Sequence, residues 1–325
     1  MAEKVAVFGA GAWGSALACV AARSGHAVSL WGRSKETISE LERNRTNSKY
    51  LDDLKLDESI SVTNDLSHAI QEASILILAV PTQTLGVFLD QIRDQAGESV
   101  LLTTCKGIDR KTGKLPHEVI RASLPRNPIC ALSGPSFARD VVAGLPTAVT
   151  IASEEETRSI EMASKFSTNA FRCYASNDLK GVELGGALKN VLALAVGAAR
   201  GMRLGASAEA ALIARGFAEI SRFARDLGAR PETLTGLSGL GDLVLTCSSE
   251  QSRNFTYGMA MGKGNSLEGL KLAEGAFTAS IASKLAKTTG TDVPITEAIV
   301  EILEKKLTAQ EAMQKLLTRP LKRES

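Results

Sequence analysis

Hydrophobic and polar positions change their rhythm partway along the chain. In the first part, short apolar runs recur at residues 5–8, 27–31, 60–63, 75–80, 99–104, 129–133, 148–152 and 171–174. The run Ile75-Leu76-Ile77-Leu78-Ala79-Val80 has no polar interruption and ends at Pro81, as a strand buried on both faces of a parallel sheet would. Helically spaced stretches such as 35–43 and 83–95 lie between the runs, so strand and helix alternate. From Asn177-Asp178, residues suited to capping a helix, the strand signals nearly stop. Alanine- and leucine-rich helical segments follow over 179–202, 206–227 and through 280–317. The pattern predicts a doubly wound α/β domain over residues 1–177, then an all-α domain over 178–325.

The first apolar run leads directly into Gly9-Ala10-Gly11-Ala12-Trp13-Gly14 and then a small-residue helix. This is the order a dinucleotide-binding βα unit requires. Gly9 permits the tight bend, Gly11 admits a pyrophosphate to the backbone, and Gly14 lets the helix lie close on the strand. The helix amino end offers N–H groups and a positive partial charge to phosphate. The expected fold class is therefore a Rossmann-type doubly wound sheet followed by an all-α C-terminal domain. Lys4 ahead of an apolar stretch could imitate a secretory signal, but glycines at the centre of that stretch and the lack of a basic cluster argue against one.

Composition narrows the classes of partner. The 325 residues carry 38 Lys and Arg against 36 Asp and Glu, a balance that gives no expectation of nucleic-acid or membrane-surface binding. The longest apolar candidate, 184–199, contains Lys189 and Asn190, so membrane insertion is not expected. The five cysteines are scattered with no CxxC pair, which suggests reduced thiols in a cytoplasmic protein. Of three histidines, His26 sits in a turn, and His68 and His117 lie among polar, helix-like surroundings. No metal site and no serine–histidine hydrolase is expected from them.

Candidate chemistry clusters at strand ends and in the helical half. Arg33, just after the second strand, stands where an NAD-preferring site has an acidic residue; it could hold a 2′-phosphate or be a solvated loop arginine. NADPH is favoured on this basis, with NADH possible. Lys106 in Thr104-Cys105-Lys106-Gly107 could bind an anionic or carbonyl group, or simply belong to a loop. Small polar residues at Ser133-Gly134-Pro135-Ser136-Phe137-Ala138 end another strand.

Lys189, in Gly185-Gly186-Ala187-Leu188-Lys189-Asn190, lies in an apolar helix whose glycines allow close approach. Partial desolvation would ease loss of its proton and suit it to acid–base work, while snorkelling to water is the alternative. Asp242 is a single carboxylate in the apolar, glycine-rich segment 236–246 and requires a cationic or hydroxyl partner. Gln251-Ser252-Arg253-Asn254 offers a guanidinium, a hydroxyl and amides suited to phosphate, or else a solvent-facing loop.

Together with Gly239-Leu240-Gly241-Asp242, these motifs resemble the NAD(P)-dependent glycerol-3-phosphate dehydrogenases in order and spacing over nearly the whole chain. The resemblance implies reduction of dihydroxyacetone phosphate to sn-glycerol 3-phosphate for phospholipid synthesis by a cytoplasmic homodimer that uses no metal. Lys189 would be the proton donor and, in reverse, the base. Lys106 would hold substrate and cofactor, Gly134 and Ser136 would line the substrate pocket, and Asp242, Ser252, Arg253 and Asn254 would fix substrate hydroxyl and phosphate. Dinucleotide contacts would fall on the glycine turn with Ala12 and on Trp13, Arg33, Lys106, Ala138, Arg253, Leu272 and Glu274. Ala12, the residues after Asn254, and 272–275 depart from the family pattern and put secondary cofactor contacts in question. Ketopantoate reductases and β-hydroxyacid dehydrogenases share the glycine turn and helical lysine but act on carboxylates. A non-catalytic dinucleotide sensor would not need Lys189 or Asp242.

Overall fold

The computed structural model describes residues 2–320 apart from 268, 271 and 272. The apolar runs form β1 (Lys4–Phe8), β2 (Ala27–Trp31), β3 (Ser61–Thr63), β4 (Ile75–Leu78), β5 (Val100–Thr103), β6 (Ile129–Ser133), β7 (Thr147–Ala152) and β8 (Phe171–Ser176). They make one sheet in the order β3-β2-β1-β4-β5-β6-β7-β8. Neighbours are parallel except β6 and β7, which pair antiparallel. The order reverses beside β1, the switch point at which ligands bind in open α/β sheets.

Helices α1 (Ala12–Arg23), α2 (Lys35–Asn44), α3 (Ser48–Leu51), α4 (Leu66–Ile70), α5 (Leu85–Ile92), α6 (Pro116–Ser123), α7 (Ala138–Val142) and α8 (Glu156–Phe166) join the strands. Alternate strand residues explain the unbroken apolar runs. Val5, Val7, Ile75 and Ile77 enter one buried cluster, whereas Ala6, Phe8, Leu76 and Leu78 enter another. The sheet therefore has a core on each face, and each fully buried Val, Ile, Leu or Phe side chain contributes about 1.5–3 kcal/mol.

The helical part comprises α9 (Leu179–Gly201), α10 (Ala206–Asp226), α11 (Pro231–Thr235), a π-helical turn at Leu237–Gly241, α12 (Asp242–Ser248), α13 (Arg253–Gly262), α14 (Glu274–Thr289), α15 (Pro294–Leu303) and α16 (Ala309–Leu317). Two compact units result, Met1–Asp109 with Lys114–Glu183, and Arg110–Gly113 with Leu184–Ser325. By length and composition α9 is apolar enough to cross a membrane, but its apolar window is wholly buried within the protein.

Glycines let α9 and α13 touch main chain to main chain. A Cβ added at Gly197 or Gly201 would overlap the carbonyls of Phe255 or Met259, and one at Gly258 or Gly262 would overlap those of Leu194 or Ala198. Elsewhere among the helices, the buried Glu219 of α10 accepts hydrogen bonds from the Ile295 and Thr296 N–H groups at 2.8 and 2.9 Å and so caps α15.

Candidate active site

In the sheet unit, the glycine turn has the geometry its residues were expected to need. Gly9 has φ +114°, and a Cβ there would stand 2.5 Å from the Ala79 carbonyl oxygen. A Cβ on Gly14 would overlap the Gly9 carbonyl, whereas nothing lies within 4 Å of the corresponding position on Gly11. Gly11 caps α1 without a side-chain hydrogen bond, and the Trp13 indole N–H is buried without a partner. An open glycine face at an uncapped helix amino end fits a dinucleotide pyrophosphate. Asn47, which the sequence reading missed, buttresses this turn from below: its amide donates to the Ala10 carbonyl at 3.1 Å and to Ser15 Oγ at 3.0 Å. No local signal marks a buttress that lies 37 residues away.

Arg33 is exposed immediately beyond β2, with its guanidinium held by no hydrogen bond or ion pair among the described residues. Lys106 follows β5, and its Nζ is 3.5 Å from the Gly134 carbonyl, to which Ser136 Oγ also donates at 3.0 Å. Gly134 itself has φ +155°, and a Cβ there would lie 2.8 Å from Val149 Cα. It shapes the strand end through its backbone. The Ser133 hydroxyl beside it and the Thr82 hydroxyl after β4 are buried without partners. Ala138 opens α7 and packs against the core.

In the helical unit, Lys189 and Asp242 come together. Lys189 Nζ donates to Asp242 Oδ1 at 2.5 Å and to Thr246 Oγ1 at 2.6 Å, and Thr246 in turn donates to the Asp242 carbonyl at 2.6 Å. Lys189 is 6% exposed and Asp242 2%, so the lysine does not snorkel. Desolvation opposes an isolated ammonium here, and the paired carboxylate with its hydroxyl offsets that penalty. Thr246, missed from sequence, was legible only as the i+4 neighbour of Asp242 on α12.

Glycines again permit the approach: a Cβ on Gly185 would stand 2.8 Å from the Ser238 carbonyl in the π-helical turn that delivers Asp242. Burial pushes the neighbouring Cys247 thiol up to about 12, which removes it as a proton donor or nucleophile near neutrality.

The phosphate-type motif is split in its duties. Ser252 Oγ caps α13 by accepting from the Phe255 N–H at 3.2 Å. Arg253 is the first residue of that helix and is exposed. Asn254 bridges helices: Nδ2 donates to Asn190 Oδ1 at 2.9 Å, and Oδ1 accepts from the Gly275 N–H at 2.9 Å. One N–H of its amide remains outside this bridge. Glu274 begins α14, and Leu272 lies outside the described residues. Among the described residues no group of three or more His, Cys, Asp and Glu side chains could hold a metal ion.

Comparison with known proteins places this geometry. Residues 4–159 match the model of the NAD-dependent glycerol-3-phosphate dehydrogenase N-terminus, and residues 178–314 that of its C-terminus. The chain is 50% identical to glycerol-3-phosphate dehydrogenase [NAD(P)+] of Chelativorans sp. (strain BNC1) over 321 residues, 98% of each chain. It is 48% identical to the enzyme of that name from Brucella abortus (strain 2308) over the full length of both. The solved structure of glycerol-3-phosphate dehydrogenase from Coxiella burnetii superposes with a TM-score of 0.93 at 35% identity, covering 98% of this chain and 99% of that one.

Proposed function

Because the chain belongs to the NAD-dependent glycerol-3-phosphate dehydrogenase family, we propose that it reduces dihydroxyacetone phosphate to sn-glycerol 3-phosphate, reversibly, to feed phospholipid synthesis. The observation that carries the reading is the buried Lys189–Asp242–Thr246 cluster, an ammonium kept in an apolar interior. When bound, a nicotinamide dinucleotide supplies the hydride for the carbonyl carbon. Lys189 gives its proton to the oxygen of that carbonyl as charge develops there, and takes it back in the reverse direction. Asp242 and Thr246 aim the ammonium and keep it charged in its dry setting.

Arg253, with the remaining N–H of Asn254 and the Ser252 hydroxyl, holds the substrate phosphate, and Gly134 and Ser136 line the substrate pocket. Lys106 steadies substrate and cofactor. The Gly9-Ala10-Gly11-Ala12-Trp13-Gly14 turn binds the pyrophosphate, and Arg33 pairs with a 2′-phosphate, which makes NADPH the preferred reductant over NADH. Ala138 and Glu274 complete the dinucleotide contacts. In this reading residues 1–177 bind the dinucleotide and 178–325 the substrate, in a cytoplasmic homodimer.

The test is oxidation of NADPH with dihydroxyacetone phosphate against unphosphorylated dihydroxyacetone. Turnover should be confined almost wholly to the phosphorylated ketone, and equal rates on both would end the phosphate assignment.

A further inference from the structure

His117 and Glu183 form a second buried, hydrogen-bonded acid–base pair that the proposed chemistry does not use. The sequence suggested a polar setting for His117, yet it is 9% exposed, in the first turn of α6. Its main-chain N–H donates to Glu183 Oε1 at 2.9 Å, and its Nδ1 lies 2.5 Å from Oε2. One residue thus engages both oxygens of a carboxylate that is 4% exposed. Glu183 is part of α9, and Lys189 follows it on the same helix within two turns, about 9 Å along the axis.

The charges that act on the ring are acidic: Glu183, in contact with it from α9, and, through space, Glu118 of α6 itself and Glu154 of the segment before α8. Glu118 Oε2 accepts from the Leu115 N–H at 2.8 Å, and Glu154 is paired with Arg121 at 3.0 Å. Burial works to lower the imidazolium's pKa, but the hydrogen bond and charge of Glu183, aided by Glu118 and Glu154, outweigh it and hold His117 above its ordinary value. Losing that proton leaves Nδ1–H able to donate but removes the counter-charge of a buried carboxylate.

We propose that His117 is a positioning residue: by gripping Glu183 through main chain and ring, it fixes the leading turns of the helix that carries Lys189. The proposal rests on Lys189 being the proton donor. Proton transfer is sensitive to displacement, with about 1 Å of misplacement worth on the order of a hundredfold in rate. The orientation of this helix therefore governs turnover without His117 touching the substrate.

His117→Asn is the informative variant, since its amide donates close to where Nδ1 stands but carries no charge. With the full-length protein, kcat and both KM values are measured from about pH 6 to about pH 9. Wild-type kcat should fall as His117 loses its proton, whereas His117→Asn should lack that fall and keep its KM for NADPH within about twofold. His117→Ala, which removes the ring bond as well, should lower kcat further; Asn restoring part of it marks a bond that orients. A His117→Asn profile identical to wild type would overturn the proposal. Lys189→Ala is assayed alongside: if it kept full turnover, the proton-donor reading would fail and this inference with it, whereas an inactive Lys189→Ala beside an unaltered His117→Asn sinks this inference alone.

Discussion

Lys189 and Asp242 stand 53 residues apart in sequence and 2.5 Å apart in the protein interior. Each accounts for the other's burial. Lys189→Ala should lower kcat by about 100- to 10,000-fold, the usual share of a general acid, while NADPH affinity measured by fluorescence titration stays close to wild type. Asp242→Asn should lose both turnover and stability, since it strands a buried ammonium. Thermal melts beside steady-state rates separate the two variants, and an Asp242→Asn protein with wild-type melting would contradict the pairing.

Arg253 opens α13 with its guanidinium exposed. Arg253→Ala should reduce kcat/KM for dihydroxyacetone phosphate roughly ten- to a hundredfold, the value of a charge-assisted bond to phosphate. Added guanidinium ion should restore part of the lost rate, because it supplies the cation that the variant lacks.

Arg33 follows β2 and faces outward. Arg33→Ala should cut the preference for NADPH over NADH by about tenfold with little change in kcat, read from kcat/KM for each reductant. An unchanged ratio rejects the 2′-phosphate contact.

Gly258 packs on the Leu194 carbonyl. Gly258→Ala should destabilise the protein by about 1–3 kcal/mol, measured as a lower urea midpoint, because the added methyl overlaps main chain that has no rotamer to change.

His117 also sets a pH signature of stability. Its folded pKa lies above the ordinary value, so its contribution is full below the unfolded pKa of about 6.5 and is lost as pH rises through the folded value. Burial raises the pKa of Glu183, so the melting-temperature gap between wild type and His117→Asn should be widest in mildly acidic solution, where Glu183 is ionised and His117 protonated, and narrow toward alkaline pH. A gap that widens with pH would reverse the assignment.

The elements most legible from sequence were those whose cause is local. The glycine turn had to bend between β1 and α1, and a lone aspartate in an apolar stretch had to find a cation or a hydroxyl, so the shape of the turn at Gly9 and Gly14 and the need of Asp242 for a partner could be read directly, while the choice of Lys189 could not. Strand direction could not be, because alternation has no arrow: the antiparallel β6–β7 pairing is invisible in either run. Asn47, Thr246 and the His117–Glu183 pair were missed for another reason. Each depends on which face of one element meets another, and hydropathy period fixes a face without naming its partner. The double duty of Ser252 and Asn254, capping and bridging as well as offering polar atoms, likewise needed the helix packing.

The contact of α9 with α13 has a consequence for how the helical unit ages and warms. Where two helices meet through side chains, their spacing is an average over rotamers and drifts as those rotamers loosen. Here Gly197, Gly201, Gly258 and Gly262 bring polypeptide against polypeptide, so the separation is set by van der Waals contact between main-chain atoms that have no rotamers. The helix bearing Lys189 and the helix opened by Arg253 are thereby spaced by the radii of their main-chain atoms. That gauge holds the same reading whichever apolar side chains surround it.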